Sequence, residues 1–392
     1  MRPEPAAFAA LLALQLLFTP ALRADDEAPP QAATAWNLAD DWPTFKGDNA
    51  RSGRGPALGL PISVLWTDHL KGQLYSSPVV QNGLVVLGSS AKRVYGIDLD
   101  SGAQRWMQAL PDRVWGSAPA LYQGRAYVGC VDGCVYSLSQ ADGSLGASYC
   151  GGSDVPHSDG DVLSPMLVDG GHLVFGSDDH FIYGFDLRSL VHWSLRTGGI
   201  LHDNGAAEEA GLVVFPSHDS DVYGIGLSDG QLRWNYRARD AFNTVPAMDT
   251  ERAYLGCADG RLYALTLTDG GVAWTFATSK GIMSSPALAA DGSLVFGSAD
   301  GSVYCLTAKT GDLRWRFKTK DYVLASPLVS GGLVWVGSFD GNLYVLDLKT
   351  GAKLWSMQIP GGVFAAPAES AGRVLVAGRR GTLVCLQAAA AP

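Results

Sequence analysis

Apolar residues along this chain fall in short runs, each closed by a tight turn, and the runs repeat. The clearest copy spans Phe296 to Phe317, with Ser285 and Pro286 just ahead of it. An apolar strand ends in Asp300-Gly301, a strong hairpin signal. A strand carrying Tyr304 then reaches a second tight turn at Thr310-Gly311, and an alternating strand delivers Trp315. Prolines matching Pro286 stand at Pro78, Pro119, Pro165, Pro246, Pro327 and Pro367, with Ala206 in the one empty place. The intervals are 41, 46, 41, 40, 40, 41 and 40 residues. The aromatic of the third strand recurs at Tyr95, Tyr136, Tyr183, Tyr223, Tyr263 and Tyr344, with Val384 last. The tryptophan recurs at Trp106, Trp193, Trp234, Trp274 and Trp355, and the second copy has Ala147 instead.

Eight copies at this spacing predict an all-β, eight-bladed β-propeller of four-stranded antiparallel blades. The last copy stops short of its outer strand, while the lone strand Pro61 to Trp66 has no hairpin partner before it. The N-terminal strand is therefore predicted to complete blade eight and close the ring, which removes the edges of a linear array. Proline at the innermost strand fits, because that strand is an edge facing the channel. The chain divides into a signal peptide (1–24), a lead segment (25–60) and the propeller (61–387). Within the lead, Asp41 to Gly53 combines Trp42 and Phe45 with proline, glycine and charge, a composition suited to irregular packing against a larger body.

Val345 to Trp355 and Gly96 to Trp106 resemble the Ala-x-Asp-x-x-Thr-Gly-x-x-x-Trp docking motif of the pyrroloquinoline quinone (PQQ) repeat propellers. The lead Trp42 to Asp48 looks like the segment preceding the propeller in such proteins. The resemblance covers residues 41–387 and implies the fold, with each Trp packed on its neighbouring blade. It does not imply one activity: the family includes quinoprotein alcohol dehydrogenases and also the outer-membrane assembly factor BamB, a scaffold without PQQ. The dehydrogenases use a vicinal Cys-Cys disulfide over the quinone, a Trp under it, a calcium ion and an Asp base. No Cys-Cys pair and no Cys-x-x-Cys-His haem site occur here, and the large insertions of those enzymes are missing.

A formal charge of -9 and a pI of about 5.2 argue against nucleic acid or an anionic membrane surface as partner. Met1-Arg2 followed by an apolar run from Ala6 to Leu22 and small Ala24 reads as a cleaved secretory signal, too short for a membrane span. The expected location is periplasmic or secreted. Of six cysteines, Cys130, Cys257, Cys305 and Cys385 occupy slots filled by small residues in other blades. Cys130 and Cys134 bracket a hairpin turn, leaving open a bridge or two free thiols.

Candidate chemistry gathers on one face, where the turns between second and third strands meet the links between blades. His69, His157, His180, His202 and His218 fall there, four of them in blades three and four. Asp159, Asp161, Asp178, Asp179, Asp203, Asn204, Asp219 and Asp221 accompany them. Four residues before each proline, the rim reads Leu74, Trp115, Asp161, His202, Phe242, Ile282, Val323 and Val363, with Tyr75, Asp203 and Asn243 adjacent. Trp115, Asp161, His202, Asp203 and Asn243 are candidates to hold PQQ or another polar ligand, and Asp161, His202 and Asp203 to hold a divalent cation such as calcium. Opposite them, Lys92, Arg93, Arg379 and Arg380 form a basic sector suited to a protein partner. Gly226 to Gly230 matches the Gly-x-Ser-x-Gly nucleophile elbow but falls in a hairpin, not the strand-to-helix turn that motif needs. Two functions are expected: a monomeric, non-catalytic scaffold binding another envelope protein, or a PQQ- or calcium-dependent oxidoreductase.

Overall fold

A computed structural model describes residues 41–55, 58–150 and 160–390. The expected signal peptide, the first part of the lead, His157 and Asp159 lie outside these residues. Eight antiparallel sheets form eight blades. Blade six, the regular copy, comprises Ala287–Leu288, Ser293–Ser298, Ser302–Thr307 and Leu313–Lys318. Its second and third strands are buried on both faces, so they read as continuous apolar runs, while the outer strand alternates. The core lies between blades: Tyr254, Leu262 and Trp274 of blade five pack with Leu294, Phe296 and Tyr304 of blade six.

Two side-chain devices repeat around the ring. The third-strand tyrosine donates its hydroxyl to the aspartate of its own hairpin, as in Tyr304 to Asp300 and Tyr263 to Asp259, both at 2.6 Å. The outer-strand tryptophan donates to a main-chain carbonyl of the next blade: Trp234 to Leu267 at 2.8 Å, Trp315 to Leu348 at 2.7 Å. Its ring also covers the glycine of that blade's outer turn. A Cβ at Gly351 (φ 71°) would sit 2.7 Å from Trp315, so the turn needs glycine both for its left-handed backbone and for the ring. Blade two, with Ala147, has no such ring to offer, and the matching turn of blade three carries Leu190 at φ 59°.

The ring closes as expected. Leu58–His69 pairs antiparallel with Thr382–Ala390, and Trp66 donates to Leu99 of blade one at 2.9 Å. The lead does more than pack irregularly. It runs through the channel and bonds the innermost strand of one blade after another: Trp42 with Val80, Pro43 with Leu121, Thr44 with Met166, Asn49 with Glu208, Ala50 with Met248, Ser52 with Leu288 and Gly53 with Val329. Arg54–Gly55 then adds a parallel strand to blade seven. Lys46 and Arg51 are fully buried in this strap, and burial holds both side chains below their ordinary pKa, Arg51 at about 9.

Two expectations are corrected. The bridge joins Cys134 to Cys150, whereas Cys130 is a free thiol. Cys130 faces the apolar core between blades one and two, while Cys134 and Cys150 are direct partners across the third and outer strands of blade two. The proline slot of blade three belongs to Met166, since Leu167, not Met166, pairs with Val174 as Ala207 pairs with Val214. Pro165 stands one residue early.

The strap also meets an acid. Glu208, on the innermost strand of blade four, is 8 % exposed. Burial, together with Asp169 and Glu209, pushes its carboxyl up to about 7 against the hydrogen bond from the Gly211 N–H. The folded state thus holds the proton more tightly than the unfolded chain, so stability falls as pH rises from the ordinary glutamate value to about 7 and is level above it. Glu208→Gln keeps an acceptor for Gly211 and is expected to raise stability by about 2 kcal/mol at pH 8, with no gain at pH 4. Urea midpoints of the two proteins at both pH values measure this.

Candidate functional site at the channel mouth

Each blade begins with an apolar residue, and in six of them its N–H is bonded to the end of the second strand of the previous blade, as Ile282 is to Cys257 and Val323 to Ser298. The corresponding residues are Leu74, Val114, Val162, Leu201, Phe242, Ile282, Val323 and Val363, all fully buried. The apolar ring is therefore unbroken. Trp115, Asp161 and His202, expected on it, stand one position away. Asp161 is displaced because Met166 holds the proline slot. Trp115 and His202 are displaced because blades two and four each carry one extra residue before it. Gly116 (φ 73°) and Asp203 (φ 57°) take left-handed backbone in these two longer links. They meet across blade three: a Cβ on Gly116 would lie 2.7 Å from Asp203 Oδ1.

This arrangement pushes polar side chains onto the mouth. His202 lies between two carboxylates, with Nδ1 3.1 Å from Asp178 and Nε2 3.6 Å from Asp203. The bond to Asp178, against a desolvation cost, raises the His202 pKa. Burial, with Asp178 adding to it at Asp161, raises the pKa of Asp161 and of Asp203. Burial and the neighbouring His202 lower that of His218, whose ring centroid is 6.3 Å from that of His202. Asp179 and Asp219, by contrast, accept from Tyr183 and Tyr223 as every regular hairpin aspartate does. Asp221 pairs with Arg237. His69 and His180 do not line the mouth.

Across from this sector runs an aromatic arc that the sequence did not reveal. Tyr75 and Trp115 lie 4.2 Å apart between centroids, Tyr75 meets Phe364 edge-on at 5.4 Å, and Phe364 meets Phe339 at 6.2 Å. Arg379 sits over Tyr75 and Phe339 and donates to the Tyr75 hydroxyl at 3.1 Å; Arg113 sits over Trp115. Of the expected basic sector, Lys92 is paired with Asp112 at 3.3 Å, Arg379 is held in the arc, Arg93 is half-buried and Arg380 is exposed. Met283 and Tyr322, at 41 % and 45 % exposed, extend the apolar surface.

Between the two sectors lies a cavity of about 310 Å³, closed from below by Phe45 of the strap and lined by Tyr75, Phe364, His202, Asp203, His218, Asn243 and Met283 among others. Of the five residues expected to hold a cofactor, the fold brings His202, Asp203 and Asn243 into this cavity, with Trp115 and Asp161 beside it. The set does not fit PQQ. The cavity lining contains no cysteine, lysine or arginine, and Asp203 would oppose the carboxylates of the quinone. Calcium fits no better: among the described residues no three His, Cys, Asp or Glu side chains gather as a metal site, Asp161, His202 and Asp203 included.

Residues 63–146, 156–248, 258–363 and 340–391 match the family described as outer membrane protein assembly factor BamB. The chain is 25 % identical over 244 residues to BamB of Yersinia pestis, an alignment covering 59 % of this chain and 61 % of the relative. Among solved structures, BamB from Moraxella catarrhalis superposes with a TM-score of 0.72 at 17 % identity, covering 83 % of this chain and all of the other. Quinohemoprotein alcohol dehydrogenase from Comamonas testosteroni gives 0.77 at 16 % identity, covering 91 % of this chain and 82 % of the other. These two likenesses show the fold alone.

Proposed function

The chain belongs to the outer membrane protein assembly factor BamB family, and from that premise we propose that it is a non-catalytic scaffold of the cell envelope. In this reading it is exported by a cleaved signal peptide, acts as a monomer, and docks another envelope protein on the mouth face. The observation that carries the reading is the aromatic arc from Phe339 to Trp115 together with exposed Met283 and Tyr322. Aromatic, methionine and arginine side chains on one rim are the composition that protein interfaces favour. The Cys134–Cys150 bridge supports an oxidising compartment such as the periplasm.

The test is crosslinking in the native host. A photoreactive residue at Tyr322 or Met283 is expected to give a discrete adduct with a subunit of the outer-membrane assembly machinery, and one at Leu232, exposed on the outer strand of blade four, is not. Adducts from the outer rim and none from the mouth would overturn the choice of face. Arg380→Glu is expected to slow association about tenfold at low salt and much less at high salt, because an exposed rim charge steers encounter. A PQQ-dependent oxidoreductase is the competing reading, suggested by the quinohemoprotein likeness. Saturable quenching of tryptophan fluorescence by PQQ and calcium, with dye-linked alcohol oxidation, would establish it; neither is expected.

A further inference from the structure

The mouth cavity itself has a one-sided chemistry that protein docking does not use. We propose that it binds an organic ammonium ion, seating the charged nitrogen against Asp203, Asn243 and His218 and the alkyl portion against Tyr75, Phe364 and Met283. Three observations converge. The volume, about 310 Å³, is that of a small-ligand site, and its base is sealed by Phe45. Two polar atoms of its lining, Asn243 Oδ1 and His218 Nε2, are buried and have no hydrogen-bond partner in the protein. Leaving such atoms unpaired is costly, so both present acceptors to a donor that enters the cavity. Asn243 Oδ1 can only accept. The His218 ring is bonded to the main chain of His202, which leaves Nε2 as the acceptor of a neutral imidazole.

The charges agree. Facing or flanking the cavity are Asp161, Asp178 and Asp203 against His202 and, at Asp161, Arg113. Arg379 is turned to the rings of Tyr75 and Phe339. Asp203 has His202 Nε2 at 3.6 Å on one side and is partly open to the cavity on the other, where an ammonium group would add a second positive contact. The opposite wall is apolar, with Tyr75, Phe364 and Met283 in its lining, and it packs the alkyl portion. An anionic or acceptor-only ligand would meet acceptors on the polar side.

The cavity stands on its own geometry, so its ligand is testable whether or not the face also docks a protein. Protein labelled at its methionine methyl groups reports on Met283, assigned through Met283→Leu. Titration with n-butylammonium at neutral pH is expected to shift that resonance saturably, whereas n-butanol, a neutral molecule of similar shape, does not. Asp203→Asn is expected to weaken the binding about tenfold, the loss of one charged contact. Nα-acetyl-lysine amide, whose side-chain ammonium is free, distinguishes the source of the cation. If it binds as well, a lysine side chain of a partner can occupy the site; if only free amines bind, the ligand is a small molecule. Equal shifts from butanol and butylammonium, or no shift from either in the wild-type protein, would overturn the proposal without relying on any variant.

Discussion

Arg51→Ala is expected to destabilise the protein by about 3–5 kcal/mol. Arg51 has no exposure and sits where the strap crosses blades three and four. Its Nε donates to Ala206 at 3.1 Å, Nη2 to Met166 at 2.7 Å and Nη1 to Phe45 at 2.8 Å as well as to Thr44. Keeping a guanidinium there is expensive in itself, as its lowered pKa of about 9 shows. Truncation nevertheless costs more than it saves. It strands buried carbonyl groups and opens a void the size of the side chain. Arg51→Met, which refills the volume but supplies no donor, is expected to recover less than half. Urea unfolding followed by circular dichroism reads the cost. Native-state hydrogen exchange should show faster exchange at Leu121, Glu208 and Met248, whose N–H groups bond the strap. A loss below about 1 kcal/mol, within the range of ordinary surface changes, would mean that the strap is not held by this residue.

The second large effect concerns blade two. Its outer strand, Leu145–Cys150, has Ala147 where others carry the docking tryptophan, and Tyr149 as its one buried side chain. The bridge to Cys134 is the substitute anchor. Reducing it, or replacing both cysteines with serine, frees a closed loop of 16 residues in the unfolded chain, worth about 3 kcal/mol on the chain-entropy estimate. The urea midpoint of the reduced protein should fall accordingly, and exchange should quicken first along residues 145–150. Thiol titration of the unreduced, denatured protein should find four free groups: Cys130, Cys257, Cys305 and Cys385. Identical midpoints for oxidised and reduced protein would show that the outer strand is held in some other way. The same logic connects Ala147 to Leu190. With no ring to lie on the turn, the space of a missing side chain is not demanded there, and Leu190 occupies the turn at φ 59°.

What could be read from the chain follows from where the information lies. The blade count, the closing strand and the role of Trp315 are written in residue types at fixed spacing, and all three match the structure. The strap's course was not legible, because it rests on main-chain hydrogen bonds to one blade after another that any residue could make, with side chains such as Thr44 and Arg51 adding further bonds to the blades. The cysteine pairing was misread because Cys130 and Cys134 are neighbours along the hairpin, while Cys150 becomes a neighbour only across the sheet. At the mouth, counting back from the prolines placed Trp115, Asp161 and His202 on the ring, and single-residue differences in the links moved each of them off it. His202, Asp203 and Asn243 nevertheless line the cavity, and they are noticeable in the sequence because imidazole, carboxylate and amide groups stand out against an apolar rim. The arc was invisible, because Phe339, Phe364, Tyr75 and Trp115 come from blades seven, eight, one and two, which meet only when the ring closes.

That closure sets a schedule for the molecule. Trp66 faces Cys385 across a seam whose two sides are made at opposite ends of synthesis. The first propeller strand to emerge must wait for the last, so blade eight cannot assemble until Thr382–Ala390 has been made, and its closing contacts are among the slowest to form. A chain in which blade eight has not closed therefore exposes an unpaired strand whose Leu58, Ile62 and Trp66 pack against the core in the finished ring. The period before closure is when this protein is most exposed to aggregation and most dependent on a chaperone.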